Sequence, residues 1–155
     1  MAMAEAVTVC YFLHISTDSA DDLTVYNSRL LRFEKRVGLQ SKHCIALLAF
    51  PNQWHVGSKD DCSCAFRHLD TSDTPWFGEP EDWCPEEPDE IMATGELYRV
   101  LAQLLAAGYA VDCLDVWVGT EPNAIQMLDV SLGDVPEASF QLFHNHRFVL
   151  RKDSI

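Results

Sequence analysis

Cys62, Cys64 and His68 are the residues of this chain whose types and spacing come closest to a chemical motif. The stretch Cys62–Leu69 reads as a strand. Alternation along a strand places Cys62, Cys64, Phe66 and His68 on one face and Ser63, Ala65, Arg67 and Leu69 on the other. With Cys84 sixteen residues beyond His68, that face could supply the two thiolates, imidazole and further thiolate that tetrahedral zinc takes. A single residue between paired cysteines is closer than zinc-ligand pairs usually stand, and the plainer reading makes this the core side of a strand. His144 and His146 are the other candidates. Along Phe140–Leu150 the same alternation groups Phe140, Leu142, His144, His146, Phe148 and Leu150. Two imidazoles on an otherwise apolar face must be hydrogen-bonded or hold something. The first expectation is a protein without a cofactor; the alternative is a zinc protein using Cys62, Cys64 and His68 with either Cys84 or the pair His144 and His146.

Other chemistries find less support. Cys62-Ser63-Cys64 is not the C-x-x-C of redox proteins, and its acidic surroundings would raise a thiol pKa when nucleophilic attack needs it lowered. There is no P-loop, dinucleotide-binding glycine pattern, G-x-S-x-G or H-E-x-x-H, and the spacing of a calcium loop is missing. Two of the loop carboxylates could in principle act as an acid and base pair, but a run of acids is more often a solvated face. The reading leans away from an enzyme.

Residues 60 to 90 hold eleven acidic side chains and one basic one, Arg67, so ten of the thirteen net negative charges fall in a fifth of the chain. Trp76, Phe77 and Trp83 lie among them, and Trp54 just before. Aromatic side chains dominate binding hot spots because they bury large areas at small entropic cost. Trp54, Trp76, Phe77 and Trp83, framed by Asp60, Asp61, Glu79, Glu81 and Asp82, are therefore expected to form an aromatic anchor inside an anionic rim. Such a face suits a basic protein. In charge and size alone the chain is similar to small acidic inhibitors of basic toxins, such as bacterial immunity proteins; no motif ties it to them. The plainer alternative is that these prolines and aromatics pin a long loop to a sheet.

The charge of −13 over 155 residues disfavours nucleic acid and anionic membranes, which need clustered Lys and Arg. Arg29, Arg32, Lys35, Arg36 and Lys42 form the one basic cluster. The longest strictly apolar run is Cys44–Phe50, too short for a membrane span, and the N-terminus lacks a basic signal-peptide start. A cytoplasmic protein is expected, with Cys10, Cys44 and Cys113 as buried thiols. The oligomeric state is left open.

The elements that must position these groups follow from periodicity. Strands are expected at Val7–Ile15, His43–Phe50, Gln53–Ser58, Cys62–Leu69, Tyr109–Val118, Ile125–Leu132 and Phe140–Leu150. His43–Phe50 reads as the central, doubly covered one. Leu23–Val37 is read as extended towards Leu30–Lys35, with a helix as the alternative. The main helix runs from Pro88 to about residue 107: Pro88 suits its first position, Glu86, Glu87, Asp89 and Glu90 face the positive end of its dipole, and Gly108 stops it. One helix among six or seven strands gives a single α+β domain, a mainly antiparallel sheet with the helix on one face.

Overall fold

The computed structural model describes residues 11–35, 46–59, 63–69, 77–80, 86–117 and 121–153. Its elements are β1 (Tyr11–Thr17), β2 (Arg32–Glu34), β3 (Asn52–Gly57), β4 (His68–Leu69), α1 (Pro88–Ala106), β5 (Val111–Trp117), β6 (Gln126–Ser131), β7 (Leu142–Phe143) and β8 (His146–Arg151), with 3-10 turns between several of them. Six strands form one sheet in the order β2-β3-β1-β5-β8-β6, and β4 pairs with β7 apart from it. The fold is α+β. The sheet is mixed, however, because β6 runs parallel to β8 while the other neighbours are antiparallel.

Helix α1 forms where the sequence demands it. Pro88 opens it with no lost hydrogen bond, and Asp89 and Glu90 sit in its first turn. At its end Gly108 adopts φ 94°, Gly108 N–H donates to Leu105 O and Tyr109 N–H to Leu104 O, the paired bonds of a left-handed cap. Ala93, Leu97, Val100, Leu101, Leu104 and Leu105 are buried against the sheet face carrying Leu13, Ile15, Trp54, Val56, Val111, Cys113, Phe148 and Leu150. Each large side chain so buried contributes about 2 kcal/mol.

Strand β5, not the stretch around residues 43–50, is the doubly covered centre: every residue from Val111 to Val116 is buried. Residues 46–50 are turn and irregular backbone, and 43–45 lie outside the described residues. The reason is a side-chain fastener. Buried Asp112 accepts the Ala49 N–H at 3.0 Å, Ser16 Oγ accepts the Phe50 N–H at 3.1 Å, and Ser16 Oγ in turn donates to Asp112. Arg147 completes the cluster with Nε 2.9 Å from Asp112 Oδ2. These backbone donors are thus satisfied by side chains instead of a strand ladder.

Two further expectations are corrected. Ser63–Leu69 is not one strand: within it only His68–Leu69 is, and Ser63, Ala65, Phe66 and Arg67 are all buried, so no alternation sorts them, while Cys62 lies outside the described residues. Phe140–Leu150 is broken by a turn at His144–Asn145, where Asn145 adopts φ 56°, a left-handed conformation that asparagine tolerates. The stretch from Leu23 to Lys35 opens with a 3-10 turn at Leu23–Tyr26 and is extended at β2, as expected towards Leu30–Lys35; residues 36 and 37 lie outside the described residues.

Candidate functional site

Arg67 organises the region around the start of α1. Its side chain is 3% exposed, and all five N–H directions are used. Nε and Nη2 donate to the Glu86 carboxylate at 2.7 and 3.0 Å, Nη1 to Ala138 O and Phe140 O at 3.2 and 3.0 Å, and Nη2 also to Gly78 O at 2.7 Å. One guanidinium therefore ties the 77–80 segment, the approach to α1 and the 138–140 segment together. Its backbone joins in: Arg67 N–H donates to Thr94 Oγ1 on the helix at 2.8 Å, and Arg67 O accepts from Leu142 N–H on β7.

Beside this clamp, the first two turns of α1 border a groove of about 400 Å³. Arg67, Thr94, Gly95 and Phe140 are buried and make its floor, while Pro88, Ile91 and Met92 rise on the helix side and Glu137 and Ala138 opposite. Ile91 and Met92 are 37% and 53% exposed, although the rest of the helix's large apolar residues pack inward. Gly95 sits where the Arg99–Glu137 ion pair crosses the helix. A Cβ there would lie 3.2 Å from the Glu137 carboxylate and 3.4 Å from the Arg99 guanidinium.

Carboxylates crowd this end of the molecule. Glu79, Glu87 and Glu137 are exposed; Glu86 and Glu90 are partly buried. Partial burial, then repulsion by Glu87 and Glu86, push the Glu90 carboxyl above its ordinary value. Asp89 is held below its ordinary value instead, because Arg29 and Lys59 donate to it. Glu86 is neutralised by Arg67, so at the start of α1 Glu87 and Glu90 are the carboxylates without an ion-pair partner among the described residues.

The anticipated aromatic anchors divide. Trp54 is 3% exposed, packed edge-on to Phe33 with Lys35 Nζ 4.5 Å above its ring; it is core and offers no surface to a partner. Its Nε1 has no hydrogen-bond partner among the described residues. Phe77 stacks on Phe140 at 5.8 Å and leans on Phe143 at 4.9 Å, pinning its loop to the core. Glu79 is exposed. Asp60, Asp61, Trp76, Glu81, Asp82 and Trp83 lie outside the described residues.

The proposed metal ligands are likewise only partly placed, since Cys62 and Cys84 lie outside the described residues. Among the described residues no three His, Cys, Asp or Glu side chains converge to hold a metal ion. His144 and His146 do not share a strand face: His144 precedes β8 and lies 5.9 Å from the Trp117 ring, while His146 is buried against Phe143 and its Nδ1 meets His144 O at 2.8 Å. The Asn145 turn separates them.

His68 has a different partner, which the sequence reading missed. Its Nε2 lies 3.1 Å from Asp115 Oδ1, and its Nδ1 3.1 Å from Phe66 O. Burial alone would push this imidazole down, but the Asp115 carboxylate outweighs it and holds His68 above the ordinary histidine value. A backbone carbonyl and a carboxylate both only accept, so the protonated imidazole donates to each of them and fastens β4 to β5. Ser63 is equally committed, its Oγ accepting from Leu13 N–H and donating to Val56 O. The signal for Asp115, and for Asp112, was there: acids inside an apolar central strand require partners. Met92 was legible too, an apolar residue on the helix face shared by Glu96, Arg99 and Gln103.

No family model, curated protein or solved structure matches this chain. Its function must be argued from its own surface.

Proposed function

We propose that the protein is a non-enzymatic binding module whose partner is a basic protein, engaged through the acidic face at the start of α1. One observation carries the reading: the Glu86, Glu87 and Glu90 side chains gather at the start of α1, where the neighbouring Ile91 and Met92 are 37% and 53% exposed. Like charges held together are costly, and a cationic partner relieves that cost while the apolar pair supplies area. The face retains Glu79 from the acidic stretch first singled out; Trp54 no longer belongs to it.

Affinity capture with quantitative mass spectrometry tests the proposal. The wild-type chain is compared with the triple variant Glu79→Gln, Glu87→Gln, Glu90→Gln and with the double variant Trp76→Ala, Trp83→Ala. The reading expects a basic protein that wild type retains and the triple variant loses, with both proteins equally folded by circular dichroism. Equal recovery of every captured protein by the triple variant would sink it. The Trp variant reports whether the neighbouring loop shares in the contact.

A further inference from the structure

We infer that the open edge of β6 is a self-association surface, on which a second copy of this chain pairs its own β6 antiparallel about a two-fold axis at Leu128. The pairing neither uses nor needs the acidic face at the start of α1.

Strand β6 ends the sheet, and among the described residues no strand lies beyond it. Gln126 N–H donates to Asn145 O, just before β8. Backbone alternation then turns the N–H and C=O groups of Gln126, Leu128 and Val130 towards β8 and those of Met127, Asp129 and Ser131 outward. The strand is six residues long and contains neither proline nor glycine, so it lacks devices that commonly blunt an edge. Met127 is 65% exposed on the face away from α1, while Val130 is buried and Leu128 packs against the core on the other. The strand is therefore ordered before any partner arrives.

Three features favour a copy of the same strand as the occupant. An unstructured segment would lose backbone entropy to reach these groups, whereas another ordered edge would not. The surrounding charge is nearly balanced: residues 121–155 hold five acidic and three basic side chains, and Asp129, the one charge on the strand, has Arg151 3.6 Å away. No strong local field there selects a highly charged partner. The strand is also self-complementary in one register. With the axis at Leu128, each Met127 stands opposite Asp129 of the partner subunit, and about four backbone hydrogen bonds form. With the axis at Asp129, two carboxylates would face each other directly, which disfavours that register. The chain-wide charge of −13 opposes the meeting of two copies, so salt should tighten this dimer, where it would loosen a contact with a basic protein.

Sedimentation velocity of the full chain, from micromolar to millimolar concentration, tests the pairing. Wild type should pass from monomer to dimer, and raising salt from about 0.05 M to about 0.5 M should tighten the dimer severalfold. Met127→Pro removes an outward donor and spares the bonds to β8; it should weaken the dimer at least tenfold with the circular dichroism unchanged. Met127→Asp, a milder change at the same exposed position, sets like charges opposite one another and should weaken the dimer severalfold, while Met127→Lys should tighten it. Val25→Asp and Val25→Lys, at a position 76% exposed on the 3-10 turn before β2, change the net charge equally and should have less effect. A monomer at every concentration overturns the inference, as does a dimer that Met127→Pro and Met127→Asp leave intact. Equal responses to the Met127 and Val25 substitutions overturn the register, and the pairing with it.

Discussion

Acid should weaken this fold through one buried histidine, well before its carboxylates titrate. His14 lies on the sheet face away from α1, 2% exposed, with its ring 5.4 Å from that of His55. Burial first, and then the neighbouring His55, lower its pKa from 6.5 to about 3. The unfolded chain therefore binds a proton near pH 6.5 that the folded chain refuses. The contribution is complete above that value and is lost as pH falls towards 3. The slope is about 1.4 kcal/mol per pH unit, so some ~2 kcal/mol of stability disappears between pH 7 and pH 5. Urea unfolding at pH 7, 6 and 5 measures it, with wild type and His14→Leu compared at each pH. The variant has its own stability at pH 7, so the informative quantity is the difference in pH dependence. Wild type should lose ~2 kcal/mol more than His14→Leu over this interval. Parallel losses in the two proteins would mean that His14 is charged or solvated in the folded state, and the reasoning would fail.

Three other outcomes follow from buried polar contacts. Asp112→Asn should cost about 3 kcal/mol by stranding Arg147, and should speed amide exchange at Ala49 and Phe50 more than in the helix. Arg67→Met should cost a similar ~3 kcal/mol, leaving Gly78, Ala138 and Phe140 carbonyls without their donor; an unchanged urea midpoint would contradict the clamp. Asp115→Asn should lower the His68 pKa, visible in its ring proton titration, because the carboxylate that chiefly opposes burial is gone and only the Phe66 carbonyl and Glu90 remain to oppose it. In wild type the His68 contribution is full below about pH 6.5 and declines as pH rises through its folded value, so this variant should also flatten stability on the alkaline side.

Much of the frame was legible because local rules agree there. Pro88, Gly108 and the leucine stripe delimit α1 within a residue or two, and the β-branched runs locate β3, β5 and β6. The misreadings share one physical origin: a side chain overrides the backbone pattern. Residues 46–50 look like a buried strand, yet Asp112 and Ser16 take their amides. Phe140–Leu150 alternates cleanly on paper, yet Asn145 turns left-handed and parts the two histidines. Cys62–Leu69 also alternates, but Arg67 must be buried to reach three carbonyls and Glu86, and that requirement bends the chain. The site was half legible for the same reason. Charge located the acidic end, since carboxylates must be solvated somewhere. Of the aromatic anchors that are described, Trp54 is core and Phe77 packs against it, while the exposed apolar pair, Ile91 and Met92, sits at the start of the helix.

The central claim is that a basic, partly apolar protein surface binds the face at the start of α1. Selection of a random peptide-display library on the immobilised chain, with counter-selection on Glu87→Gln, Glu90→Gln, tests it most directly. The account predicts enriched sequences that set Lys or Arg beside Leu, Ile, Met or Phe and that the variant fails to retain. Enriched sequences without a basic bias, or retained equally by the variant, would contradict it.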